Sequence, residues 1–67
     1  MIEVTRLNGE TFILNADLIE TVESRPDTVI FLVNGRRYVV RETAQDVLAR
    51  VVAYKRALHQ GPLTKEE

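Results

Sequence analysis

With 67 residues, no cysteine and a formal net charge of −1, the chain has room for one small domain and none for a disulfide framework or thiolate metal site. The single His59 excludes a His-rich metal cluster, and acids mixed with bases along the chain exclude a molecule-wide attraction to nucleic acid. There is no run of about 18 apolar residues to span a membrane, and Met1-Ile2-Glu3-Val4 lacks the basic and then apolar regions of a signal peptide, so a cytoplasmic protein is expected.

Ile2 to Leu7 reads as a first strand and Glu10 to Leu14 as a second, joined at Asn8-Gly9. Asn15-Ala16-Asp17 is a polar break, a turn or short 3₁₀ piece ahead of Leu18. Ile19 to Ser24 mixes the β-branched Ile19, Thr21 and Val22 with Glu20 and Glu23, consistent with a third strand. Arg25-Pro26-Asp27 reads as a turn, because proline presets φ at about −65° and aspartate is a good turn former. Thr28 to Val33 is apolar without alternation from Val29 onward, the pattern of a strand buried on both faces. Asn34-Gly35 then turns the chain and Arg36 to Arg41 returns it.

The period changes after Glu42. Thr43 is a helix N-cap with Asp46 three residues on, and Ala44, Val47, Leu48, Val51, Tyr54, Lys55 and Leu58 recur at helical spacing. Lys55, Arg56 and His59 suit the C-terminal end of the helix dipole, and Gly61-Pro62 stops the helix. The expected fold is α+β, mainly β: a five-stranded antiparallel meander, strongly curled or small-barrel-like, followed by one C-terminal α-helix. Residues 1–60 form the single domain and 61–67 a flexible tail.

Asn-Gly between apolar runs signals a two-residue type I′ hairpin turn. In that register Val33 pairs with Arg36, Phe31 with Tyr38 and Val29 with Val40, while Ile30, Leu32 and Val39 occupy the other face. In the first hairpin Ile2, Val4 and Ile13 point one way and Leu7, Phe12 and Leu14 the other. Both hairpins are then apolar on both faces, more than one helix covers. A curled barrel or a homo-oligomer follows, since each wet aliphatic side chain forgoes about 1.5–3 kcal/mol. A helix from Thr43 to His59, about 26 Å long, overhangs strands of about 20 Å and offers Val52, Tyr54 or Leu58 to a neighbour.

Chemistry is scarce. Ser24 precedes a proline turn and His59 ends the helix, so no nucleophile–base pair assembles. Glu20 with Glu23, and Glu42 with Asp46, read as solvated carboxylates, and Asp17 and Asp27 as turn residues without metal-loop spacing. Neither glycine pair opens a phosphate-binding helix. The chain reads as a non-enzyme without cofactor, metal or small-molecule substrate. Arg6, Arg25, Arg36, Arg37 and Arg41, with Tyr38 among them, offer an RNA-binding β-surface as one reading. Arg36, Arg37 and Arg41 as a charged border against edge-to-edge aggregation, paired with Glu3, Glu20 or Glu23, is the other and the preferred one.

Taken together, Val4-Thr5-Arg6-Leu7-Asn8-Gly9, Phe12-Ile13-Leu14-Asn15, Leu18-Ile19-Glu20-Thr21-Val22-Glu23, Pro26-Asp27-Thr28-Val29-Ile30, Asn34-Gly35, Tyr38-Val39-Val40 and Glu42 resemble the small flagellar FlbD/SwrD family. That family is distinct from the larger transcription activator called FlbD. The resemblance runs from Met1 to about Val52. It implies a cytoplasmic, non-enzymatic accessory of bacterial flagellar motility that supports the motor through its stator, peripheral at the flagellar base. It transfers no site residues. The expected protein interface, from the residues themselves, is Ile30, Leu32, Val39, Val52, Tyr54 and Leu58, with Arg36, Arg37 and Arg41 at its rim. A second likeness joins Ile2-Glu3-Val4-Thr5-Arg6, Gly9-Glu10-Thr11 and Val39-Val40-Arg41-Glu42 to the CsrA carbon-storage regulators. It implies an RNA-binding dimer using Arg6 and Arg41, although Leu7 stands where that family has a second consecutive arginine.

Overall fold

The computed structural model describes residues 1–59. The Gly61-Pro62 helix stop, the 61–67 tail and the side chain of His59 lie outside the described residues. The elements are β1 (Ile2–Thr5), β2 (Thr11–Leu14), a 3₁₀ turn (Ala16–Leu18), β3 (Ile19–Ser24), β4 (Thr28–Leu32), β5 (Arg37–Val40) and α1 (Ala44–His59). All strand pairs are antiparallel, in a β1-β2 sheet and a β3-β4-β5 sheet. The chain is thus mainly β with one C-terminal helix, and the strands do not close into a barrel. The two sheets meet at a single bridge between Arg6 and Val40.

The hairpin turns differ from the two-residue type I′ expectation. Each loop has three residues, Leu7-Asn8-Gly9 and Val33-Asn34-Gly35: the Arg6 amide donates to the Glu10 carbonyl at 2.7 Å, and Leu32 to Arg36 at 2.8 Å. Only the glycines have positive φ, 97° at Gly9 and 89° at Gly35, so each loop is a type I turn closed by a left-handed glycine bulge. The asparagines stay at negative φ and accept from the amide two residues on, Asn8 from Glu10 at 2.9 Å and Asn34 from Arg36 at 3.0 Å. Asn15 does the same for Asp17, starting the 3₁₀ turn.

One added loop residue exchanges the faces of a returning strand. Ile2 now pairs with Leu14 and Val4 with Phe12, so one face of the first hairpin is apolar and the other carries Glu3, Thr5 and Thr11 beside an exposed Ile13. In the second hairpin Thr28, Ile30 and Leu32 share the core face with Tyr38 and Val40, while Val29, Phe31, Arg37 and Val39 face outward. The first hairpin is therefore apolar on one face only, and the apolar side chains left on an outer sheet face of the second are Val29, Phe31 and Val39 of β4 and β5. In β3 a bulge between Ile19 and Thr21 rephases the strand, so that Ile19 and Val22 both pack on the core.

The core comprises Ile2, Val4, Leu14, Ala16, Ile30, Leu32, Val40 and Val47. Val51 and Tyr54 carry the helix stripe on from Val47. Leu48, expected on that stripe, is exposed. From Lys55 to Leu58 every side chain is exposed, consistent with a helix that outruns the sheet. Its start is a reciprocal capping box: the Asp46 amide donates to Thr43 Oγ1 at 3.0 Å and the Thr43 amide to Asp46 Oδ2 at 3.3 Å. Thr43→Ala removes one half of it and is expected to cost about 1 kcal/mol in chemical denaturation, while Thr43→Ser stays close to the parent.

Candidate functional site

Among the described residues the long-range side-chain hydrogen bonds gather where the two sheets and the helix meet. In β1 the residues hydrogen-bonded to β2 are Ile2, Val4 and Arg6, which turns the backbone groups of Glu3 and Thr5 toward the opposite edge. β5 covers that edge only briefly, the Arg41 amide donating to the Thr5 carbonyl at 2.8 Å. Beyond it, side chains replace a strand. Glu42 accepts from the Thr5 amide at 2.9 Å and from the Thr5 hydroxyl at 2.8 Å. Arg50 of the helix donates to Glu42 Oε2 at 3.0 Å and to the Glu3 carbonyl at 2.7 Å.

The Glu42 side chain is 8% exposed and that of Arg50 45%. Burial pushes the Glu42 carboxyl upward, but the Thr5 amide and hydroxyl, the backbone of Glu42 and the Arg50 guanidinium together hold it below its ordinary value. Glu42 is thus a part-buried staple between β1 and α1, not the solvated carboxylate expected. Its supposed partner Asp46 belongs to the helix cap.

The arginines divide by what holds them. Arg41 donates through Nε and Nη2 to the Leu7 carbonyl at 3.0 and 2.7 Å and lies along Gly9, locking the first hairpin loop. The Arg6 guanidinium lies 4.2 Å from the centre of the Phe12 ring and 5.6 Å from that of Tyr38, and the two rings are 5.1 Å apart. Arg36 and Arg37 are exposed at the second hairpin. Among the described residues the ion pairs are Arg50–Glu42 and a long exposed Lys55–Asp17 contact of 4.0 Å, so the border arginines make no bridge to Glu3, Glu20 or Glu23.

Of the expected interface residues, Ile30 and Leu32 are 0% and 5% exposed and belong to the core of the single chain, a correction that follows from the hairpin register. Tyr54 is half-buried against that core. Val39, Val52 and Leu58 are exposed, as are Arg36, Arg37 and Arg41. The structure does not gather these into one patch: Val39 and Arg37 share the outer sheet face, Val52 and Leu58 lie on the helix, and Arg41 sits at the first loop. Sequence reasoning missed the Thr5–Glu42–Arg50 staple. Its members are separated by 37 and 8 positions, and only the meeting of β1 with the end of β5 makes them neighbours.

Among the described residues no group of three or more His, Asp or Glu side chains could hold a metal ion, and no helix is long and apolar enough to cross a membrane. The model of a family described as flagellar and swarming motility proteins, FlbD, matches residues 1–59. The chain belongs to this family. The match takes in all five strands and the helix. No curated protein and no solved structure matches the chain. FlbD membership associates the protein with flagellar and swarming motility.

Proposed function

We propose that this FlbD protein is a non-enzymatic, cytoplasmic accessory of the flagellar motor that supports the stator by protein–protein contact at the flagellar base. Membership of the motility family carries the reading. In the structure Glu42, Arg41 and Arg50 are engaged in holding strands, loop and helix together. The exposed apolar side chains on α1 and on the outer sheet face supply surface for a partner.

Deletion of the gene tests it. The expected result is reduced swimming and swarming with filaments of normal number and length, and lowered torque in a tethered-cell assay. Filament loss, or normal torque in the deletion strain, would overturn the stator reading. Salt-sensitive binding of purified protein to GGA-containing single-stranded RNA, lost on Arg6→Ala and Arg41→Ala, would replace it with a CsrA-like regulator.

A further inference from the structure

An arginine contributes most to recognition when its side chain is already fixed and its N–H groups are still unbonded, because ordering a free side chain costs binding energy. Arg41 and Arg50 are fixed but bonded, to the Leu7 carbonyl and to Glu42 with the Glu3 carbonyl. Arg25, Arg36, Arg37 and Arg56 are exposed, and among the described residues no aromatic ring supports them. Arg6 alone combines the two conditions among the described residues. Its guanidinium rests on Phe12 and faces Tyr38, rings themselves held half-buried against the core, yet no acceptor or carboxylate of the described chain meets its N–H groups. Stacking uses the flat face of the guanidinium and leaves the fork of donors along its rim. The residue is exposed. Leu7, next in sequence, is 50% exposed and has its backbone pinned by Arg41.

We propose that Arg6, lying over the Phe12 ring and beside Tyr38, is the anchor by which this chain takes a side-chain carboxylate from an acidic segment of its motility partner, with Leu7 as the adjoining apolar contact. The inference rests on the reading that the protein works by protein contact. A planar fork matches a carboxylate bidentately, and an arginine backed by aromatics beside an aliphatic residue has the composition of an interface hot spot. A phosphodiester chain fits less well. Binding one takes several free cations along a strand together with open aromatic faces, whereas here Arg41 is bonded to Leu7 and the Phe12 face is covered by Arg6 itself.

The test uses the full chain labelled with ¹⁵N, following the arginine Nε–Hε signals while a hexaglutamate peptide or a hexauridylate RNA is added at matched ionic strength. The expected result is a saturable shift of Arg6 on hexaglutamate, with the exposed and unstacked Arg37 as internal control. Arg6→Lys keeps the charge and lacks the fork; it should weaken that binding about tenfold, the size of one charge-assisted hydrogen bond, with an unchanged melting temperature. Equal responses from Arg6 and Arg37, or tighter binding of hexauridylate than of hexaglutamate, overturns the proposal. In cells, Arg6→Lys at normal protein level should lower torque as the deletion does. Full torque in that variant overturns the Arg6 anchor while leaving the contact reading intact, whereas full torque in the deletion strain overturns the contact reading itself.

Discussion

Glu42→Ala is expected to lower the unfolding free energy by about 2–4 kcal/mol, and so the melting temperature by roughly 10–20 °C for a domain of this size. The substitution strips the Thr5 amide and hydroxyl of their acceptor and leaves the Arg50 guanidinium facing the Glu3 carbonyl alone. Arg50→Ala should cost less, about 0.5–1.5 kcal/mol, because that side chain is half in water and its loss leaves Glu42 still bonded to Thr5. The effect also carries a pH signature. The folded-state carboxyl titrates below its ordinary value of 4.5, so the stabilisation is complete above that value and is lost as pH falls through the lower folded-state value. Glu42→Gln, which keeps an acceptor oxygen but cannot titrate, should flatten this acid limb while remaining less stable than the parent at neutral pH. Melting temperatures of the parent and Glu42→Gln between acid and neutral pH decide it; pH dependences that run parallel would sink the assignment.

The existence and order of the elements were legible because each is written locally. Asn15 and Pro26 break strands, Thr43 with Asp46 writes the helix start, and the strands are β-branched between them. The register was legible too, but not from the turn residues. Asn-Gly fits both a type I′ turn, with positive φ at both residues, and a type I turn in which glycine alone is left-handed. What separates the two is parity along the strands. Ile2 and Val4 must share a face with Phe12 and Leu14 for the first hairpin to be apolar on one side, which requires an odd number of loop residues. The same parity joins Ile30 to Val40. The site was not legible, since Glu42 looks like any acid at a helix start until the end of β1 arrives beside it. Arg6 lies diagonally across the first hairpin from Phe12, a contact set by that register, but the sequence does not show that Tyr38 joins them, which happens only where the two sheets meet at the Arg6–Val40 bridge.

Ile30→Ala should destabilise the chain by about 2–5 kcal/mol and Val40→Ala by about 2 kcal/mol, two buried methylene equivalents for the valine. The same truncation one residue away, Val29→Ala or Val39→Ala, should cost less than about 1 kcal/mol. These four positions lie on one ladder, and the hairpin register alone decides which of them face the core. Ile30 and Val40 are 0% and 2% exposed, whereas Val39 is 38% exposed and Val29 lies on the outer face beside it. A two-residue turn predicts a different grouping, with Val40 beside Val29 and Phe31 and opposite Ile30. Equilibrium urea unfolding of the four alanine variants therefore reads the turn type directly. A large loss for Val40→Ala with little for Val39→Ala requires the three-residue loop, and the reverse pattern rejects it. The result also bears on function: only side chains that fold the chain no tighter are free to meet a partner, so motility defects from Val39 would be interpretable as contact while those from Ile30 would report unfolding.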